Sequence, residues 1–345
     1  MSRERLIANL RAVRSEIEPG QEVEVGLFRE EDAQGIALAY LEIYGDSFPI
    51  EHVYDPAEIT RRNASDDQYT IVARTMSGDV VGLAGLFRHA PNPDVYEAGQ
   101  LMVLKTYRSS HVAAEIARNT LGIQARNLGL PVVFGEAVCN HPVSQRLAHQ
   151  EGMLVTGLEL ECMPAAAYAK EGGVFRNVSL LLMFSVYKRQ RCTVYLPSQY
   201  EDFLKSLYTG MGLVRDHAGA EPLSGGTESS EFLLPDAGLL RLTISRAGED
   251  FQSVVADAEH KVGECGLVQC YLNLGDPAAP DAITMLRERG YFFGGLLPHW
   301  FGPDGVVMQK LPEQPDWDAL RLYGKEAKAM CDYIRQDYER TLVQG

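Results

Sequence analysis

Between Glu97 and Ala113 the sequence has the makings of a binding site. An apolar strand ends, a short loop of small and polar residues turns, and a helix starts. Backbone N–H groups at a helix start have no intrahelical acceptor and carry partial positive charge. Such a junction suits a phosphate or pyrophosphate. Arg108, Ser109 and Ser110 would add donors there. The loop has no Gly-Lys-Ser/Thr, so it is not a nucleotide P-loop, and it lacks the glycines of a dinucleotide fingerprint.

The elements that must position this loop follow from periodicity and turn signals. Arg3 to Glu18 reads as a helix ended by Pro19 and Gly20. Glu22 to Phe28 reads as a strand, and Glu30, Glu31 and Asp32 open a helix that runs to Tyr44. A loop over 45–56 and a short helix, Pro56 to Asn63, come next. Three strands form an antiparallel meander: Tyr69 to Arg74, Val80 to His89 and Val95 to Leu104. From Ser110 to Asn127 the apolar residues recur at helical spacing. Val132 to Val138 is a strand, and Pro142 to Gln150 is a helix closed by Gly152. Strands Met153 to Cys162 and Val178 to Tyr187 complete the first part. A strand–helix–strand passage such as Val95 to Val138 should be parallel and right-handed.

After a polar connector at 188–200 the same grammar returns more faintly. Tyr200 to Met211 is a helix; Glu231 to Leu234 and Leu239 to Arg246 form a hairpin; Asp250 to Gly263 is a helix and Leu267 to Leu274 a strand. Pro280 to Arg289 is a helix ended by Gly290, and strands Tyr291 to Leu297 and Gly305 to Leu311 close the series. Two segments align directly, Ser144 to Met153 and Ala282 to Tyr291. Each is a short helix, then Gly, then a large apolar residue that opens a strand. The expected fold is therefore α/β (a mixed α+β sheet) in two copies. Residues 1–190 and 200–312 are the two domains, and a helix from Trp317 to Tyr338 lies within 313–345.

The length of 345 residues fits two domains at roughly 150 residues each. Hydrophobic residues make up 46%, enough for sizeable cores. Acidic residues outnumber basic ones 47 to 32, for a formal charge of −15. That balance argues against nucleic-acid binding and against docking on anionic membranes. The six cysteines, at 139, 162, 192, 265, 270 and 331, include no Cys-x-x-Cys and no zinc set, and read as thiols in a reducing cytoplasm. The N-terminal segment lacks the apolar core of a signal peptide, and the run Val178 to Tyr187 is too short to span a bilayer.

The order of elements, the loop and the later helix together resemble the GNAT superfamily of acyl-CoA-dependent N-acyltransferases. The resemblance covers about residues 22–187. The pyrophosphate loop of that family, Arg/Gln-x-x-Gly-x-Gly/Ala, is matched by Arg108, Ser109, Ser110, His111, Val112 and Ala113, with His111 in place of the first Gly. A second signature, Asn-x-x-Ala-x-x-Leu-Tyr-x-x-x-Gly-Phe, is matched in spacing by Ser144, Leu147, Gly152 and Met153, with Asn140/His141 at its opening position. Ala148 stands where the family often carries the Tyr that protonates the leaving thiolate.

The resemblance implies direct attack of an amine on the thioester of acetyl-CoA or another acyl-CoA. It also implies a thioester-oxygen donor from the backbone of the fourth strand, about Leu101, Met102 and Val103, with the pantetheine arm beside it. It places coenzyme A against Arg108 to Ala113, Asn140 and Ser144. Glu97 and Glu136 fall where family members carry the base that takes the amine proton. Glu136 stands in the apolar run Val132 to Val138, where a charge needs a partner or a purpose. Weaker candidates are Cys139 as an acyl carrier, His89, and the loop residues Asp46, His52 and Tyr54.

The second half loses the loop. Glu249 and Asp250 stand at its helix start, where they repel a pyrophosphate. It is expected to form one wall of the acceptor site or a homodimer face. The acceptor is a small-molecule or peptide amine, and no metal is implied. The alternative is a non-catalytic GNAT-like protein that senses acyl-CoA or binds a partner. A transferase using aminoacyl-tRNA is disfavoured by the acidic charge.

Overall fold

A computed structural model describes residues 2–46, 48, 50–108, 111–165, 176–263 and 266–344, the last without its side chain. By contacts the chain divides into two compact units. The first is Met1–His89 with Tyr96–Val133, and the second is Ala90–Val95 with Phe134–Gly345.

Unit 1 opens with α1 (Arg3–Val13), β1 (Val23–Leu27) and α2 (Asp32–Tyr44). The first helix stops five residues short of the expected Glu18, at Arg14, whose backbone is extended. α3 (Pro56–Asn63) follows, as expected. Asp55 caps it through Ala57 N, Pro56 presets the first turn, and Glu58 pairs with Arg61 and Arg62 one turn on. β2 (Gln68–Thr75), β3 (Val80–Arg88) and β4 (Val95–Val103) complete the antiparallel order β1–β2–β3–β4.

β3 is buried from Val80 to Phe87, and α2 and α4 (Val112–Ala117) pack against it. The expected single helix to Asn127 is helical at the described positions but not uniformly α. Its hydrogen bonds widen to a π pattern over Arg118–Gln124 before α5 (Ala125–Asn127). π turns inside helices occur often at functional sites.

Unit 2 holds most of β5 (Val132–Val138), then α6 (Val143–Gln150), β6 (Leu154–Met163) and β7 (Val178–Val186). The connector contains β8 (Cys192–Val194), which pairs parallel with β9 (Arg215–His217) after α7 (Glu201–Met211). Strands of three residues are too short to leave a period in the sequence. β10 (Glu228–Leu234) and β11 (Leu239–Arg246) form the expected hairpin. α8 (Phe251–Val262) returns the chain to β12 (Leu267–Asn273), parallel to β11. α9 (Ala279–Glu288), β13 (Phe292–Leu297) and β14 (Gly305–Lys310) follow. The strand order is β5-β7-β6-β13-β14-β12-β11-β10. Both units are thus sheets flanked by helices, mixed in unit 2, as expected for α/β.

The aligned segments fold alike. Gly152 (φ +82) and Gly290 (φ +86) follow α6 and α9. Met153 N donates to Ala148 O at 3.1 Å, and Tyr291 N donates to Leu286 O at 3.0 Å, the same helix-ending bond in each. The strands they launch, β6 and β13, pair antiparallel at Gly157 and Gly295. A Cβ on Gly157 would lie 2.5 Å from both Gly294 O and Gly295 Cα. Gly157→Ala is therefore expected to cost roughly 1–3 kcal/mol by overpacking. A lower urea midpoint at unchanged slope would show it, and an unchanged midpoint would mean the strands yield freely.

The C-terminal helix differs from expectation. α10 spans Gly324–Gln344, and only a single 3-10 turn occupies Trp317–Ala319. Side-chain bonds hold the intervening stretch extended. Gln145 donates to Arg321 O at 2.9 Å and accepts from Tyr323 N at 2.8 Å, and Arg321 N donates to Cys139 O. Gly324, at φ +85, then turns the chain into the helix.

Candidate functional site

In unit 1 the site is built on β4. Leu83 pairs with Met102 and Gly85 with Gly99, so Gln100 and Leu101 together face Ala84. This is a β-bulge, a feature enriched beside active sites. Gln100 adopts φ +57, a left-handed conformation unusual for its type. The phenol of Tyr40, buried on α2, donates to Gln100 Oε1 and fixes the bulge from the side. Of the three expected donors, Met102 and Val103 are in register with β3, while Leu101 stands in the bulge and is exposed.

The same strand carries Glu97. Its Oε2 lies 2.6 Å from Nδ1 of His89, the residue that follows β3. Sequence reading named both residues separately and missed the pair. A hairpin turning over Pro91 to Asp94 brings residues 89 and 97 together, so the signal was there. Glu97 folds back along its strand: a Cβ on Gly99 would meet Glu97 Oε1 at 2.7 Å. The carboxylate therefore lies next to the bulge. Phe87 stacks on His89 with ring centroids 5.7 Å apart and planes at 12°. The hydrogen bond to Glu97 raises the His89 pKa above its ordinary value. An imidazole fixed through Nδ1 leaves Nε2 to handle a proton.

Beside the bulge lies a narrow cavity, lined in part by Tyr40, His52, Gln68, Thr70, Phe87 and Gln100. It has room for about one water. His52 thus lines the cavity, and burial lowers its pKa. Tyr54 is fully buried with its hydroxyl bonded to Gly45 O. Asp46 faces solvent and pairs with Arg11 at 3.6 Å.

Past β4 the chain makes a 3-10 turn, Lys105–Tyr107. Arg108 Nε donates back to Val103 O at 3.0 Å, anchoring this side chain at the strand end. Ser109 and Ser110 lie outside the described residues. His111 does not fold back into the helix start. Its side chain is 76% exposed, and Nε2 stands 3.2 Å from Glu115 Oε1, one turn along. Val112 is buried and Ala113 half-buried at the first turn of α4.

In unit 2, Glu136 finds the partner its apolar strand requires. Arg241 lies 4.0 Å from Glu136 Oε1 and 3.2 Å from Oε1 of Glu159, which is fully buried. Tyr271 also donates to Glu159, and the Arg241 guanidinium sits 4.5 Å over the Tyr271 ring. Nothing in the sequence linked these four residues, because the sheet alone brings them together. Asn140 and Ser144 lie at the start of α6, the Ser144 hydroxyl buried without a hydrogen bond among the described residues. Cys139 is 2% exposed, and burial pushes its thiol far up. A protonated, inaccessible thiol does not suit an acyl carrier.

The start of α8 is filled by the chain itself. Ala247 N donates to Asp276 Oδ2, Gly248 N to Thr227 Oγ1 and Glu249 N to Gly225 O. Asp250 accepts from Thr227 N at 2.7 Å, and hydrogen bonds from the Thr227 side chain and backbone lower its pKa. These three amides have no donor capacity left for a phosphate. Among the described residues no cluster of three or more His, Cys, Asp or Glu could hold a metal, and no helix is long and apolar enough to cross a membrane.

No family model matches the chain, and no curated protein matches it. Solved structures of acetyltransferases are similar to about half of it. Mutant forms of the spermidine/spermine N-acetyltransferase of Vibrio cholerae share 14% identity over 48% of this chain and 95% of theirs, with a TM-score of 0.37. The ribosomal-protein-S5-alanine acetyltransferase of Vibrio fischeri shares 10% over 49% and 95%, at 0.39. A putative acetyltransferase of the GNAT family from Desulfovibrio desulfuricans shares 13% over 48% and 99%, at 0.36.

Proposed function

We propose that this protein is an N-acyltransferase that moves an acetyl or other acyl group from coenzyme A to the amine of a small molecule or peptide. The observation that carries the reading is that one strand holds both the Gln100–Leu101 bulge and Glu97, the partner of His89. Amine acylation needs a donor for the thioester oxygen and an acceptor for the amine proton. The bulge supplies the first from Leu101, and His89 Nε2 supplies the second, with Glu97 as its positioning residue. The coenzyme contributes the activated acyl carbon and a thiolate leaving group. The new bond is N–C and the broken one C–S. The proton leaves the amine for His89, and solvent protonates the thiolate, since Ala148 cannot.

One observation supports coenzyme binding there: the His111 imidazole, standing where the family has a glycine, is turned along the helix to Glu115. Arg108, Ser109, Ser110, His111, Val112 and Ala113 are proposed for the pyrophosphate, with Met102, Val103, Asn140 and Ser144 as further contacts. Glu136 is the second proposed carboxylate. We divide the chain into an acyl-CoA domain over 1–190, a degenerate GNAT-like domain over 200–312 and a C-terminal helical segment over 313–345. The filled start of α8 supports a second domain without coenzyme.

The test is thiol release from acetyl-CoA across a panel of amines, with Glu97→Gln and Glu136→Gln compared by rate against pH. Release that depends on Glu97 supports the assignment. Stabilisation by coenzyme A without release for any amine favours the binding protein, a reading that Ala148 supports.

A further inference from the structure

We propose that the protein self-associates through β10, which pairs antiparallel with β10 of a second copy about a two-fold axis at Phe232. β10 ends the sheet of unit 2 and is hydrogen-bonded there to β11. Residues 228–233 are all exposed, with Phe232 at 54% and Leu233 at 53%. An open edge offers a row of unpaired N–H and C=O groups to another strand, and proteins usually guard it with charge, Pro or a covering element.

Here the guards are spent. The only charges on the strand are Glu228 and Glu231, and no Pro or Lys lies within it. Lys261 grips both oxygens of Glu231, at 2.6 and 2.7 Å, and Arg246 stands 3.1 Å from Glu228. Both carboxylates of the edge are therefore paired within their own chain, which removes the local charge that would turn a second strand away.

The single aromatic residue of the strand favours one register. With Phe232 on the axis, the two aromatic rings face each other, a favoured cross-strand pair. Glu231 then faces Leu233 of the partner subunit and Ser230 faces Leu234 of the partner subunit. Over the five residues that then pair, Ser230 to Leu234, no carboxylate opposes another; beyond them Glu228, held by Arg246, falls opposite the partner's Asp236. Two seven-residue strands cover less surface than a standard stable interface. The dimer is therefore a weak one, to be sought at high chain concentration.

Light scattering behind size exclusion tests this at roughly 100 µM chain. The expected mass is that of a dimer. Phe232→Lys should give a monomer with unchanged far-ultraviolet dichroism and melting temperature. The register is tested separately. Phe232→Cys should cross-link to itself under mild oxidation, because Cα atoms directly opposite lie about 4.5–5.5 Å apart. Glu231→Cys, two positions out of register with its own copy, should not. A monomer at this concentration, a dimer that survives Phe232→Lys, or faster cross-linking through Glu231→Cys would each overturn the proposal.

Discussion

His89→Ala is expected to slow thiol release from acetyl-CoA by roughly 10²–10⁴-fold, the usual worth of a positioned general base. The loss should fall on kcat, since His89 holds a proton and does not grip either substrate. In the intact protein the rate should rise with pH as His89 loses its proton. The bond to Glu97 raises the His89 pKa, so that rise is centred above the ordinary histidine value of about 6.5. Glu97→Gln removes the cause of the shift. It should bring the His89 titration, followed by NMR, back toward the ordinary value and slow the rate less than His89→Ala does.

The sign for stability follows from the same shift. A raised folded pKa means that the pair stabilises the fold below the unfolded value and stops doing so as pH rises through the folded one. The effect is small, because His89 is exposed. An unchanged rate in His89→Ala would remove the dyad from the mechanism.

Asp304→Ala is expected to destabilise unit 2 by about 3–5 kcal/mol, the cost of leaving one member of a buried ion pair uncompensated. Both side chains of the Arg215–Asp304 pair are fully buried. Arg215 Nε donates to Asp304 Oδ2 at 2.6 Å, and a second nitrogen donates to Oδ1 at 3.0 Å. The remaining guanidinium nitrogen donates to Gln190 O and Val214 O. Asp304 also accepts from the backbone of His299, a residue at φ +58. The pair thus ties β9 to the turn between β13 and β14 and holds that turn in a strained conformation. Urea unfolding measures the loss. The double change Arg215→Met with Asp304→Leu should recover much of it, because no buried charge remains. A single-variant loss below about 1 kcal/mol would mean that water reaches the pair.

Local chemistry made much of this fold legible. The Gly152 and Gly290 helix ends, the hairpins and α3 stand where residue type and spacing put them. The π segment over Arg118–Gln124 was not legible, because its apolar spacing is that of an ordinary helix. The start of α10 was missed because contacts from Gln145, far away in sequence, decide it. The site divides in the same way. Glu97 and His89 were each visible, and Glu136 announced the need for a partner. That the partner is Arg241, shared with Glu159, depends on strands remote in sequence. The bulge at Gln100 leaves no mark, since neither Gln nor Leu signals a left-handed backbone.

Calorimetric titration of the full chain with acetyl-CoA tests the central claim most directly. The account predicts one saturable site per chain, weakened by about tenfold or more in Arg108→Ala, the worth of a hydrogen bond to a charged group. No heat of binding and no rise in melting temperature at about 1 mM acetyl-CoA would contradict it.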